Sequence, residues 1–441
     1  MADKTISIDG PDAAFFTTDS VTLKANCGGT WTAAEKQALA WSVARGGDEF
    51  EPAGQGPELR LPLANKAAKA KWGYGCRVRV GLSPAVQATR GLAVIGIGTT
   101  PYTALTVAIA PGDITTRPLE KSKRVRSIAT LGTAKFSIGL HQTYQGRLGL
   151  GMADSDQGPH YSARTFWPLF GPWAALVEAT TRVEGSQTFA AVNTYDDARI
   201  TFGLVQFGAH YYDANLILLL RRWLARADAG YYFPNLRLKK VDGKDRIHDA
   251  NGNLIDTASD PRNKALLDLL NPVSNAIDDA EAVLMAALVH LARHDPQTCV
   301  DQVRLAIRNF SSYLKDLKGK EIDGRPDYIA VLVCDIRNQG RASKADIEKC
   351  LRDATGRLSD ARAYRALLAL KGKNNAFAAR VEHLAKAIQR MREQGLLGVY
   401  RYDETAGDFV QPKPPGPAVA AAPATTHGPH TRQAPGDFHG N

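Results

Sequence analysis

The sequence predicts a multidomain protein: an amino-terminal all-β sandwich, then a mainly α domain that carries a small β-hairpin. Three observations predict it. The chain has 441 residues, more than one ordinary domain holds. Apolar and polar residues alternate through residues 1–110, as strands require, and from about residue 166 apolar residues recur at helical spacing. The hydrophobic fraction is 44% and the charged fraction 23%, enough apolar residue for an ample core that needs no metal or disulfide to hold it.

Within residues 1–110, the stretches Val21–Ala25, Leu59–Leu63 and Cys76–Val80 alternate, and Gly, Asp and Pro clusters separate them at sandwich-like intervals. The window from Gly91 to Gly112 carries no charge, but Pro101 interrupts it among Gly and Thr residues. It reads as two strands and a turn rather than a membrane span. Residues 111–165 read as a connector with short strands at Lys135–Leu140 and Gly146–Leu150 and a loop around Asp154. The helical domain takes residues 166–410. Pro172 suits the first turn of a helix over 173–184, and further helices fit 214–226, 262–270, 275–294, 297–316, 343–354, 359–371 and 375–394. The 275–294 helix has Ser274 as a cap, Asp278, Asp279 and Glu281 at its start and Arg293 and His294 at its end. Its middle, Ala282–Val289, is apolar all round, as a central buried helix is. Residues 411–441, rich in Pro, Ala and His, read as a disordered tail.

The net charge of +10 suits an anionic partner such as an acidic wall polymer. The densest basic runs, Lys121–Arg126 and Arg237–Lys240, have no interleaved aromatic residues, and no nucleic-acid-binding motif is present, so no nucleic acid is expected. Met1 is not followed by the apolar run of a signal peptide, and Leu216–Leu220 is too short to span a bilayer. The five cysteines form no CxxC and no Cys/His cluster at ligand spacing, so neither a metal nor another cofactor is expected. Phosphate-cradling loops, serine elbows and HExxH are absent.

The residue that stands out is Glu184, which closes the apolar helix. A glutamate held partly out of water keeps its proton near neutral pH and can donate it to a leaving oxygen. Asp196 and Asp197, in the polar turn after Asn193, offer a second carboxylate, and either one serves to order water. Tyr195, Phe202, Gly203, Gln206 and His210 follow as candidate groove residues. Glu178 lies about 600° of helix rotation from Glu184 and faces elsewhere. Asp335 and Asn338 either form the opposite wall, or belong to a helix end closed by Asn338 and Gly340, with Asp335 paired to Arg337 or Arg341.

Two resemblances add to this reading. Cys27, Trp41 and Tyr74-Gly-Cys76 stand in the order of an immunoglobulin-like sandwich. The likeness implies a core tryptophan and a tyrosine corner, and leaves open whether Cys27 and Cys76 are bonded. Lys71 or Trp72 stands where that family has an acidic residue before the tyrosine corner. In the second half, Glu184 at a helix end, then Asp197, then Phe202-Gly-Leu-Val-Gln206, resembles the lysozyme-like superfamily, especially goose-type lysozymes and lytic transglycosylases. This chain has Glu-Gly where that family has Glu-Ser, and Val205 in place of its methionine. The resemblance implies a muramidase cutting the β-1,4 bond of peptidoglycan, with Glu184 as acid, Asp197 positioning water and Gly203 to Gln206 as a cleft strand. The alternatives are a non-catalytic cell-wall-binding or injection-apparatus protein, and a chitinase- or chitosanase-like glycosidase. An enzyme of this kind without a signal peptide is expected to reach the periplasm or cell wall by a secretion or phage-type machine, or to work on walls from within after lysis, with the amino-terminal module docking to such a machine or to wall glycan.

Overall fold

The computed structural model describes residues 4–16, 18–63, 72–96, 115–121, 124–131, 134–151, 158–184, 187–273, 275–319 and 321–412. Lys71, the turn at Pro101, the loop around Asp154, Ser274 and the tail beyond 412 lie outside the described residues.

The protein is multidomain, with a β amino-terminal part and a mainly helical remainder. Strands β1 (Thr5–Asp9), β3 (Ser20–Gly28) and β6 (Glu58–Pro62) form one antiparallel sheet in the order β1-β3-β6. A second sheet contains β2 (Ala13–Phe15), β4 (Ala40–Arg45), β5 (Glu51–Gln55), β7 (Gly73–Ser83) and β8 (Val86–Ile95), in the order β2-β8-β7-β4-β5, with β2 parallel to β8. Helix α1 (Ala33–Gln37) follows β3 and starts on a Thr32–Glu35 capping box. The sheets close over one apolar core: Leu23 and Leu61 from the first meet Trp41, Val78 and Leu92 from the second. The Trp41 indole is buried and its N–H donates to the Gly56 carbonyl at 2.7 Å, so its polar atom is satisfied. Cys27 and Cys76 are both free thiols, and burial pushes Cys76 up to about 12.

Residues 111–165, expected to be a connector, carry a full sheet. Strands β9 (Thr115–Lys121), β10 (Arg124–Leu131), β11 (Ala134–Tyr144) and β12 (Arg147–Gly151) form an antiparallel meander in the order β12-β11-β10-β9. Its residues Ala129, Phe136, Ile138 and Leu150 enter the same core as the helices, which is why the segment is not a spacer.

Helices α2 (Ala163–Phe170) and α3 (Pro172–Glu184) come next, then three two-residue strands, β13 (Val192–Asn193), β14 (Thr201–Phe202) and β15 (Phe207–Gly208), in one small antiparallel sheet. After α4 (Leu216–Leu224) and α5 (Ala229–Tyr232), a hairpin of β16 (Leu236–Val241) and β17 (Lys244–Asp249) precedes α6 (Lys264–Leu270). The rest is helical: α7 (Asp279–His294), α8 (Pro296–Lys315), α9 (Asp327–Gln339), α10 (Lys344–Leu351), α11 (Asp360–Leu368) and α12 (Ala378–Glu393). Helix α7 is central and buried over Ala282 and Leu284–Ala292, and it is capped by Asp278, whose carboxylate accepts from the Glu281 amide at 2.8 Å. Helix α8 starts on Asp295 with Pro296 at its first position. Helix α9 is buried from Ile329 to Ile336 and ends on Gly340, whose φ of 60° supplies the left-handed turn.

The sandwich sits directly on the helical part. Gly75 and Gly91 lie on the outer face of the second sheet, where α2 crosses it. A Cβ on Gly75 would stand 2.6 Å from the Pro168 ring, and one on Gly91 only 2.2 Å from the Pro168 carbonyl oxygen. The absence of side chains at these two positions lets helix and sheet backbones touch. The Thr165 hydroxyl bonds the Trp72 carbonyl at 2.6 Å across the same contact, and Asp12 ties Arg90 of β8 to Arg304 of α8 at 2.6 and 2.5 Å.

Candidate active site

Helix α3 delivers Glu184 to a groove between the small three-stranded sheet and the end of α9. The groove has a volume of about 480 Å³. Gln206 and His210 line it from the sheet side, and Tyr313, Asn338 and Gln339 from the other. Glu184 is only 14% exposed. Its carboxylate accepts from Gln339 Nε2 at 2.8 Å and pairs with Arg380 of α12. Burial pushes its pKa above the ordinary carboxylate value; the charge of Arg380 pulls it down and the nearby Asp335 pushes it up.

Arg380 is shared. It also pairs with Asp335 at 2.6 Å, and Asp335 in turn pairs with Arg341. Asp335 is fully buried and does not reach the groove as a substrate contact: it holds two arginines between α9 and α12. This is the helix-end arrangement with an Asp335–Arg341 pair, while Asn338, a turn further on, does line the groove.

Gln206 is held for its task. Its backbone is left-handed at φ 55°, its Oε1 accepts from the Thr201 hydroxyl at 3.1 Å and its Nε2 donates to the Gly203 carbonyl at 3.2 Å. His210 packs against Tyr211 with ring centroids 4.1 Å apart and planes tilted by 47°, and its Nδ1 is buried with no hydrogen-bond partner among the described residues. Burial lowers its pKa, Arg262 lowers it further and Asp197 opposes both. The imidazole is therefore neutral near neutral pH.

Asp197 lines an adjoining depression of about 520 Å³ with Arg199, His210, Tyr211 and Arg262. His210 and Tyr211 form the wall common to both hollows. Asp196 is spent on its own turn, accepting from the Ala198 amide at 3.0 Å and from Asn193 Nδ2 at 2.8 Å. Of the two aspartates, only Asp197 lines a hollow beside the groove. Three other expected contacts do not line it. Phe202 is fully buried against Trp223, Gly203 is closed in at φ 85° against Gln302, and half-buried Tyr195 stands in the turn itself. Phe202 ends its strand facing the core, whereas Gln206 stands in the turn that follows, where its left-handed backbone turns it to the groove.

No family model matches the chain, and neither a curated protein nor a solved structure is similar enough to count as a match. The geometry alone therefore carries the functional reading. Arg380, Gln339, Tyr211 and Tyr313 were not found by sequence reasoning. Tyr211 had a local signal, its position beside His210; Arg380 lies 197 residues after Val183, whose carbonyl it also bonds, and nothing local points to it. Among the described residues no group of three metal-ligating side chains is placed to hold an ion, and no helix is long and apolar enough to cross a membrane.

Proposed function

We propose that this chain cleaves a β-1,4-linked glycan of the peptidoglycan type, with Glu184 as the general acid. The observation that carries the reading is a single carboxyl at the end of a buried helix, nearly enclosed in a groove whose walls are mainly amide, hydroxyl and imidazole groups, with Arg337 at the α9 end. Burial favours its protonated form, as proton donation to a glycosidic oxygen requires. Asp197, next to the groove beyond His210, is the candidate for ordering an attacking water; without such help an acid alone gives intramolecular transglycosylation. The helix end facing a small three-stranded sheet supports a lysozyme-like lobe. Two sheets in the order β1-β3-β6 and β2-β8-β7-β4-β5, with Trp41 in the core, support an immunoglobulin-like module before it.

One contact favours a second reading. The pairing of Glu184 with Arg380 stabilises its ionised form, which suits a groove that grips glycan without cutting it. Clearing of purified wall suspensions by wild type and Glu184→Gln separates the two. Cleavage that drops by about 10²–10⁴ in Glu184→Gln supports the acid. Equal clearing by both proteins overturns it, and no clearing by either, with wall binding retained, favours the binder. Clearing of chitosan alone would move the substrate class. Asp197→Asn is expected to shift products from free reducing ends to anhydro ends, read by mass spectrometry.

A further inference from the structure

A second cavity lies at the junction where α2 crosses the second sheet; Glu178 and Arg182 of α3 reach it, but it shares no lining residue with the groove at Glu184. It is larger than the groove, about 810 Å³, the size and the location between domains that small-ligand sites favour. Two tryptophans line it. Trp72 is 40% exposed and Trp167 is half-buried. Both are braced from behind: Trp72 by His160, edge-on at 5.6 Å, and Trp167 by Tyr400 at 5.9 Å. Single exposed aromatic residues need no explanation, but two braced indoles in one concavity form a preorganised platform.

Of the rest of the lining, Ala44, Pro168 and Leu396 are aliphatic, and most of the remainder is polar or bare. Gly46, Gly47 and Gly395 present backbone without side chains, and the Ser162 hydroxyl makes no capping bond to the helix it precedes. An apolar ligand would find few aliphatic walls here; a ring with an apolar face and a hydroxylated rim matches both halves of the surface. The charges narrow it further. Arg182 is committed to Glu178 at 2.5 Å and Arg77 to Asp48 at 2.5 Å. Arg164 lines the cleft, is exposed and has no carboxylate partner among the described residues. A guanidinium in that state suits a ligand carboxylate, which it can bind through two parallel bonds.

We propose that this cleft binds a pyranose that carries a carboxylate, with Trp72 and Trp167 under the sugar ring and Arg164 on the acid. The site needs no chemistry at Glu184. The test follows the tryptophan indole N–H signals of the full-length protein by NMR during titration with N-acetylmuramic acid, and with N-acetylglucosamine, which has the same ring without the acid. The acid sugar is expected to shift the Trp72 and Trp167 signals at millimolar concentration, and the neutral sugar to bind about tenfold more weakly. Arg164→Met should abolish that preference, Trp72→Ala should abolish the Trp167 shift, and Glu184→Gln should leave both unchanged. Thermal unfolding of each variant checks that it folds, and Arg164, being exposed, gives a second variant that does not disturb packing. No shift at either indole, equal affinity for the two sugars, or a shift that disappears in Glu184→Gln overturns the proposal.

Discussion

At the scale of the residue, Glu184 is balanced between burial, which favours its proton, and Arg380, which opposes it. Because its pKa is raised, the acid form persists to higher pH and is lost as pH rises through that value, so on the proposed reading glycan cleavage should fail on the alkaline side. Arg380→Met removes the opposing charge, and the alkaline limb of the pH–rate profile should move to higher pH. The same change leaves buried Asp335 with Arg341 alone and should cost about 3 kcal/mol, measured by urea unfolding. Glu184, Gln206 and His210 were legible because each combines a polar type with a place after an apolar stretch, and Asn338 because it stands at a helix end just before Gly340. Asp335 has the same signature and a different fate. Whether a carboxylate after an apolar run faces a groove or an arginine depends on which helix packs over it, and α12 is remote in sequence.

Helix α7 carries titrations of opposite sense at its two ends: Glu281 near the start, His290 and His294 near the finish. Near its start Glu281 is 1% exposed, takes a hydrogen bond from the Thr194 hydroxyl, and burial raises it to about 7. With a folded pKa above the ordinary 4.5, its stabilisation is complete below pH 4.5 and is lost as pH rises to about 7, on the order of 3 kcal/mol in all. At the other end His290 is buried, bonds the Tyr232 hydroxyl at 2.9 Å and stacks on His294 at 4.0 Å; burial lowers it to about 4. That contribution is complete above pH 6.5 and is lost as pH falls toward 4. His294 beside it is lowered further, to about 3, so two histidine slopes oppose one carboxyl slope, and the helix's net contribution should rise with pH between about 4.5 and 6.5. Glu281→Gln should expose the histidine slope and make the protein more stable at pH 8 than wild type; chemical unfolding at pH 5 and pH 8 reads both. Such helices were readable from capping and period. Helix α9 was harder, since Val331–Val333 is β-branched at two of three positions and only burial on every side makes it helical. Helix α2 is eight residues long with Pro168 inside it, and its register depends on the sheet beneath.

For the whole molecule, the bare notch under Pro168 joins sandwich and helices into one body. Gly91→Val puts side-chain carbon where backbone already stands, and backbone cannot rotate away. A loss of about 1–3 kcal/mol is expected, and calorimetry should show the single transition splitting in two. A glycine in a strand reads from sequence only as a weak point; its partner here lies on another element. The four-stranded sheet of residues 115–151 was likewise only partly legible, because its strands are held by packing against α7 rather than by strong alternation of their own. The reach of Arg380 to Val183 and Glu184 has a consequence for biosynthesis. A ribosome adding about 5–20 residues per second needs about 10–40 s to travel from Val183 to Arg380, 197 residues on. Throughout that interval the nascent chain holds Glu184 without the arginine that fixes it. On the proposed reading, the acid of the groove stands without its counter-charge until α12 has been made, and the arginine bridge from Glu184 to Asp335 can close only then.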